Sequence, residues 1–299
     1  HYSPQKTEKS DSNRLFLATI GQVRQAARTR QARLAAEQAL VRVVHHYGET
    51  PEFVVLGGLV PELLCSRSSH QHAGTTDIDV QVNLEIECEA VNTARLERAL
   101  RHAEFEPDSE HVWRWKIANE HVRAEVKFEL LADLDSEANE ATVHFKDCEC
   151  LGAVNLRGTK YAARDVELRT LTAKVDDAMQ SVEVLVTGVA GFLLAKCAAA
   201  HSRGKRKDWY DIAFVLLHND LGGPTKAADA VVNKFDEEAL KASSTALAEL
   251  AANFCDPQSQ GPLAYADQFL LDHPDYGQSQ AKADAVIAVG EFCQVLARV

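Results

Sequence analysis

The sequence has little that would support a membrane protein, a zinc protein or a disulfide-bonded scaffold. Its 299 residues contain no run of about 18 apolar residues, so no membrane-spanning helix is predicted. The seven cysteines are scattered and form no CxxC pair, which is typical of reduced thiols rather than of a zinc site. The polar N-terminal segment lacks the apolar core of a signal peptide. We therefore expect a cytoplasmic protein, with residues 1–12 as a disordered or expression-derived tail.

The charge distribution limits the kinds of partner that the chain can have. A net charge of −12 argues against a protein that coats nucleic acid non-specifically. Positive charge is nevertheless concentrated in two places, residues 14–42 with six arginines and residues 203–207. We interpret the first cluster as the solvent-exposed face of a helix. The alternative is a contact with a nucleic-acid backbone, since a local basic surface can exist on an acidic protein.

The pattern of predicted elements indicates an α+β chain. A helix is expected over residues 13–47, followed by a short buried strand at residues 53–56 and a second strand in TTDIDVQV. HVWRWKIA and HVRAEVKFELLA are expected to pair as two strands, with Trp113 and Trp115 on one face in the core. Helices dominate the second half. We expect an α+β domain over residues 13–180 and a mainly helical domain over residues 181–299, with the boundary open between residues 150 and 190.

The feature that decides the functional prediction is a strand, Gly57-Gly58, a short helix and then Thr76-Asp77-Ile78-Asp79. Two glycines before a helix let the backbone approach a ligand, and a helix N-terminus favours phosphate. Asp77 and Asp79 lie two apart on a strand, so their side chains point to one face. Two such carboxylates are suited to Mg²⁺, which takes oxygen ligands and shares its remaining sites with substrate phosphates.

A third carboxylate normally completes such a site from a neighbouring strand. In RAEVKFELLAD, Glu125 and Glu129 are four apart and share a face. Glu129 is favoured because Phe128 and Leu130 flank it, as expected for a central strand. Glu125 is the alternative candidate for the third carboxylate. If it does not belong to the site, we expect it to form an ion pair on the strand surface.

These residues resemble the DNA polymerase β-like nucleotidyltransferase superfamily, whose signature is Gly-Gly or Gly-Ser followed by Asp-x-Asp. Further along, Lys196, Arg203 and the Asp208-Trp209-Tyr210-Asp211 element resemble the AbiEii/MenT type of toxin nucleotidyltransferase. The resemblance covers residues 53–217. It implies a polymerase β-like domain, a mixed sheet flanked by helices, followed by a largely helical C-terminal domain.

The resemblance also implies a reaction and a set of roles. A nucleoside monophosphate would pass from an NTP to an acceptor, the 3′ end of tRNA, in the toxin of a toxin–antitoxin system with an antitoxin encoded nearby. Asp77, Asp79 and Glu129 would hold Mg²⁺ or Mn²⁺, and Lys196 and Arg203 would neutralise the triphosphate. Asp211 would position Lys196 or the acceptor, and Gly57, Gly58 and Thr76 would contact the nucleotide.

Other interpretations remain beside this one. Asp208 alone is best explained as the N-cap of the following helix. An enzyme of the same fold that modifies a small molecule such as an aminoglycoside, or a protein, would fit the acidic net charge. A catalytically inactive binding module is disfavoured because both aspartates, a third carboxylate and the lysine are all present.

Overall fold

The computed structural model describes residues 29–82, 92–119 and 124–298. The predicted tail and the first half of the helix expected over residues 13–47 lie outside these ranges. The described helices are α1 Arg30–Tyr47, α2 Val60–Leu64, α3 Thr93–His102, α4 Lys160–Arg164, α5 Val189–Arg203, α6 Arg206–His218, α7 Pro224–Lys234, α8 Glu237–Ala242, α9 Ser244–Asn253, α10 Gln260–Asp272 and α11 Gln278–Leu296. The strands are β1 Val54–Leu56, β2 Asp77–Gln81, β3 Glu106–Pro107, β4 Arg114–Asn119, β5 Ala124–Ala132, β6 Thr142–His144, β7 Gly152–Asn155, β8 Val166–Val175 and β9 Ala178–Thr187.

The strands form one mixed sheet in the described chain. Its order is β3-β4-β5-β2-β1-β9-β8, and the β6–β7 hairpin joins the end of β5. β2 runs parallel to β5 and β1 runs parallel to β9, whereas β1–β2, β4–β5 and β8–β9 are antiparallel. The central strand β2 therefore lies between β1 and β5, and it carries the Asp-x-Asp motif into the middle of the sheet.

Local sequence explains where the first elements begin and end. The Thr29 hydroxyl accepts a hydrogen bond from the amide of Ala32 and caps α1, which ends at Gly48 with a φ of 88°. β1 is the run Val-Val-Leu and is buried along its whole length, as expected for a strand between two neighbours. The chain then turns through a 3₁₀ segment at Gly57–Leu59 into α2.

A continuous hydrophobic core joins the sheet to the helices of the second half. It contains side chains of β2 and β5 as well as Phe192 of α5, Trp209 of α6 and Phe292 of α11. β9 runs to Thr187, so the predicted boundary after residue 180 falls inside this strand. The division into two domains stays a prediction. Within the described residues, no helix is both long and apolar enough to cross a membrane.

The two tryptophans of HVWRWKIA do not share the environment that the sequence predicted. Trp115 is fully buried in β4, but β4 begins only at Arg114. Trp113 lies in the turn before the strand and is half-buried. The prediction that both belong to the core is therefore wrong for Trp113, because period-two alternation applies only within a strand.

Candidate functional site

The register of three adjacent strands brings the predicted carboxylates together. Asp79 of β2 lies opposite Glu129 of β5, and Glu129 lies opposite Arg114 of β4. One step along the strands, Asp77 lies opposite Lys127. Because alternate residues of a strand share a face, the carboxylates of Asp77, Asp79 and Glu129 lie on the same side of the sheet.

Asp79 is held against the first glycine of the diglycine turn. Gly57 has a φ of 77°, and a Cβ placed on it would lie 1.9 Å from Oδ2 of Asp79. Only glycine leaves room for this carboxylate, and glycine also adopts the left-handed backbone without strain. Burial, together with the nearby charges of Glu129 and Asp77, raises the pKa of Asp79 to about 7. The position therefore favours a cation beside the carboxylate.

Asp77 lies between two lysines from different elements. Lys127 Nζ of β5 is 3.7 Å from Oδ1 of Asp77, and Lys207 Nζ of α6 is 3.8 Å from Oδ2. The Oδ1 atom is buried, and the part of the chain that the structure describes offers it no hydrogen-bond partner. An acceptor oxygen that is buried and unbonded is suited to a ligand, since leaving it unsatisfied costs about 1–3 kcal/mol.

Glu129, and not Glu125, lies beside Asp79. The Glu129 side chain is only 17% exposed, and it accepts a 2.6 Å hydrogen bond from Nε of Arg114. The Glu125 side chain is 47% exposed and its nearest cation is Lys116, 3.8 Å away. The structure thus places the favoured candidate in the site and leaves the alternative in a surface ion pair.

A buried charge network lies on the helical side of the site. Lys196 Nζ of α5 is 2.8 Å from Oδ2 of Asp211 and 3.2 Å from Oδ1 of Asp208, both on α6. Arg203 donates from Nε and Nη2 to the two oxygens of Asp208, at 2.8 Å and 2.7 Å. His72 contributes Nε2 at 2.9 Å from Oδ1 of Asp211. Two cations and two carboxylates therefore neutralise one another.

The network keeps its members charged. Burial alone would lower the pKa of Lys196, but the carboxylates of Asp211 and Asp208 outweigh it and raise this pKa above its ordinary value. Burial would raise the pKa of Asp208, but the charges of Lys196 and Arg203 outweigh it and lower this pKa. Lys196 is therefore a fixed ammonium group at neutral pH.

Asp208 has a different role from the one that the sequence suggested. The N-cap of α6 is Lys205, and the Asp208 carboxylate binds Lys196 and Arg203. The N-cap prediction is wrong because the turn at Gly204 folds α6 back against α5, which brings the two cations onto the carboxylate.

The carboxylates and the charge network open into one cleft. Arg203, Lys196, Asp79, Glu129 and Gly57 line it, and its apolar lining consists of Leu56, Leu131, Leu156, Phe192, Ala195 and Ala199, with Thr159. Lys196 and Arg203 therefore face the same space as Asp79 and Glu129.

Two further predicted residues, Gly58 and Thr76, are not among those that line the cleft. A Cβ on Gly58 would meet the Thr75 side chain at 2.9 Å, and Thr76 is buried with its carbonyl accepting from the amide of Lys127. Their contact with a nucleotide stays a prediction. The sequence analysis did not identify Lys127 or Arg114, because only cross-strand register places them beside the carboxylates.

The donor set is suited to a divalent cation of the Mg²⁺ class. Within residues 29–82, 92–119 and 124–298, no three His, Cys, Asp or Glu side chains already stand in a metal-binding cluster. Glu129 is turned to Arg114 and Asp77 lies between two lysines. Two observations nevertheless fit a role of the three carboxylates as oxygen ligands. One oxygen of Asp77 lacks a hydrogen bond, and Asp79 is repelled by the neighbouring charges of Glu129 and Asp77, which a cation would offset.

The mixed sheet with its carboxylates and the facing helices are consistent with an α+β fold of the nucleotidyltransferase kind. Residues 154–288 match the family model described as "Nucleotidyl transferase AbiEii toxin, Type IV TA system". The chain therefore carries an AbiEii nucleotidyl transferase toxin domain, which confirms the family predicted from the sequence. No curated protein and no solved structure matches the chain.

The matched segment contains one half of the site. Lys196, Arg203 and Asp211 lie inside residues 154–288, and Asp79 and Glu129 lie before them. The match extends into α11, beyond the residues 53–217 that carry the sequence resemblance. Similarity to this family implies a nucleotidyltransferase toxin of a type IV toxin–antitoxin system, with an NTP substrate and an antitoxin partner.

Proposed function

We propose that the chain transfers a nucleoside monophosphate from an NTP to the 3′ end of tRNA. The acceptor hydroxyl oxygen forms a bond to the α-phosphorus, the bond from this phosphorus to the bridging oxygen breaks, and pyrophosphate leaves. The hydroxyl proton passes to water. The observation that carries the proposal is the single cleft shared by Asp79, Glu129, Lys196 and Arg203.

The chain's own residues fit the two halves of this reaction. Lys196 and Arg203 line the helical side of the cleft, where their N–H groups would contact the triphosphate, although Asp208 and Asp211 balance their charge. Asp211 and Asp208 hold the Lys196 ammonium in one position, so little reorganisation is needed when the nucleotide binds. Asp77, Asp79 and Glu129 would hold Mg²⁺ or Mn²⁺, which supplies charge stabilisation to the attacking and leaving oxygens.

The distribution of basic groups favours a polyanionic acceptor over a small cationic one. Lys127 and Lys207 flank Asp77 at the open side of the carboxylates. Two of the three described arginines of α1 are engaged in ion pairs with carboxylates. Arg33 pairs with Glu37 and Glu62, and Arg42 pairs with Glu104. The basic groups that support tRNA binding are therefore Lys127 and Lys207, beside the carboxylates.

The test is incubation of the purified chain with total tRNA, Mg²⁺ and each labelled NTP in turn. Label on RNA with the wild type, and none with an Asp79→Ala variant, is the expected result. An aminoglycoside and a mixture of proteins serve as competing acceptors. Label that appears only on one of these, or on nothing at all, would overturn the tRNA proposal.

A matched pair of variants tests the third carboxylate. Glu129→Gln is expected to reduce labelling by about 100-fold or more, because it removes an oxygen anion from the charge-stabilising site. Glu125→Gln is expected to leave the rate within about twofold, because Glu125 lies in an exposed pair with Lys116. Equal losses in the two variants would contradict the assignment of Glu129.

A further inference from the structure

An aromatic stack lies at the rim of the cleft, outside the residues assigned so far. The rings of His111 and Trp113 are stacked, with centroids 4.8 Å apart and planes inclined by 16°. The guanidinium carbon of Arg114 is 4.5 Å from the centroid of Trp113. The same guanidinium binds Glu129, so the stack is directly connected to the carboxylates.

The stack also borders the apolar wall of the cleft. Trp113 packs against a small cluster that contains Leu56 and Leu131, and these two side chains line the cleft. Trp113 is half-buried, in contrast to the other two tryptophans of the chain, Trp115 and Trp209, which are buried. A large aromatic side chain that is partly open beside a functional cleft is typical of a binding contact.

Backbone hydrogen bonds hold the segment that carries both rings. The carbonyl of Trp113 accepts from the amide of Leu130, next to Glu129, and the amide of His111 donates to the Asp108 carboxylate. The His111 imidazole forms no hydrogen bond or ion pair with the residues that the structure describes. Its side-chain contact with the described residues is the stack itself. A fixed indole covered by an exchangeable ring is suited to another planar ring.

We propose that Trp113 is a nucleobase-stacking residue, and that a base displaces the His111 imidazole from the indole. This inference rests on the proposed nucleotidyl transfer, which brings two bases to the cleft, that of the NTP and that of the acceptor's terminal nucleotide. Stacking of a nucleobase on an aromatic side chain is generally stronger than the contact between two aromatic side chains. The exchange is therefore favourable.

Tryptophan fluorescence of the full chain tests the proposal directly, because the other two indoles are buried. The chain is titrated, in Mg²⁺ buffer, with a nucleoside triphosphate, with a single-stranded RNA oligomer, and with an abasic oligomer of equal length. Quenching by the triphosphate assigns the site to the incoming nucleotide, and quenching by RNA assigns it to the acceptor. Absence of quenching up to millimolar ligand, or equal quenching by the abasic oligomer, overturns the proposal.

Three variants, whose affinities are measured by isothermal titration calorimetry, separate stacking from packing. Trp113→Phe keeps an aromatic face, and affinity is expected to stay within about threefold while the signal is lost. Trp113→Leu keeps apolar packing, and affinity for the base-bearing ligand is expected to fall at least about fivefold. His111→Ala removes the competing ring and is expected to tighten binding by about twofold or more. Weaker binding by His111→Ala, or unchanged binding by Trp113→Leu, contradicts the stacking role.

The outcomes also separate this inference from the proposed function. Unchanged affinity of every variant for the abasic oligomer shows that the variants are folded and that phosphate contacts are intact. Labelling of tRNA without quenching of the tryptophan fluorescence would refute only the stacking proposal. Quenching of the fluorescence without labelling of tRNA would support the base-stacking site and overturn the proposal that tRNA is the acceptor.

Discussion

The buried charge network predicts a non-additive effect on stability. The Asp208 side chain is inaccessible to solvent, and it binds Lys196 and Arg203. With Asp211, the four charges sum to zero. Asp208→Asn leaves one positive charge uncompensated beside a Lys196 side chain that is only 7% exposed. Removal of one partner from a buried pair costs about 3–5 kcal/mol. We expect the lower end, about 3 kcal/mol, because 35% of the Arg203 side chain reaches solvent.

The double variant gives the decisive comparison. Lys196→Met alone leaves an uncompensated carboxylate and is also expected to cost about 3 kcal/mol. Asp208→Asn combined with Lys196→Met restores neutrality, so its cost is expected to be smaller than the sum by at least about 2 kcal/mol. The free energy of unfolding is measured by urea denaturation, followed by far-UV circular dichroism and by fluorescence.

A surface pair serves as the control for this cycle. Lys226 and Asp229 lie three apart on α7 with both side chains exposed, and Asp229→Asn is expected to cost less than about 0.5 kcal/mol. If the costs of Asp208→Asn and Lys196→Met add within about 0.5 kcal/mol, the two charges do not depend on each other. The argument that Asp208 holds Lys196 in place would then fail.

Two further predictions follow from the glycine turn and from a half-buried histidine. Gly57→Ala would displace the Asp79 carboxylate, and we expect the tRNA-labelling rate to fall about 100-fold. Gly48→Ala is the control with similar backbone strain, at a φ of 88°, where only the flexible tip of Arg95 is close, and its rate should stay unchanged. Burial and two neighbouring histidines lower the pKa of His218 to about 4. Because the unfolded chain takes up this proton first, stability should fall by up to about 3 kcal/mol as the pH decreases from about 6.5 to about 4. Over this pH range, the urea midpoint should change less with pH in His218→Phe than in the wild type. An equal pH dependence of the midpoint in the two proteins would exclude His218 as the cause.

Local sequence was sufficient to predict the motif elements of the site. The diglycine after an apolar run and the two-residue spacing of Asp77 and Asp79 depend on backbone geometry that neighbouring residues determine. The facing positions of Lys196 and Arg203 likewise follow from helical periodicity within one element, α5. The family could be predicted for the same reason, because its recognisable motifs lie within single elements.

Only the tertiary structure decided which residues from different elements meet. Glu125 and Glu129 share a strand face, and the parallel register with β2 selects Glu129 as the partner of Asp79. Asp208 joins Lys196 because α6 folds back on α5, and Trp113 leaves the core because β4 begins one residue later. Strand register and helix packing depend on the burial of the whole core, which is a sum over distant residues. The sequence by itself therefore determined the motifs and their chemistry, and the packed chain determined how they combine into a site.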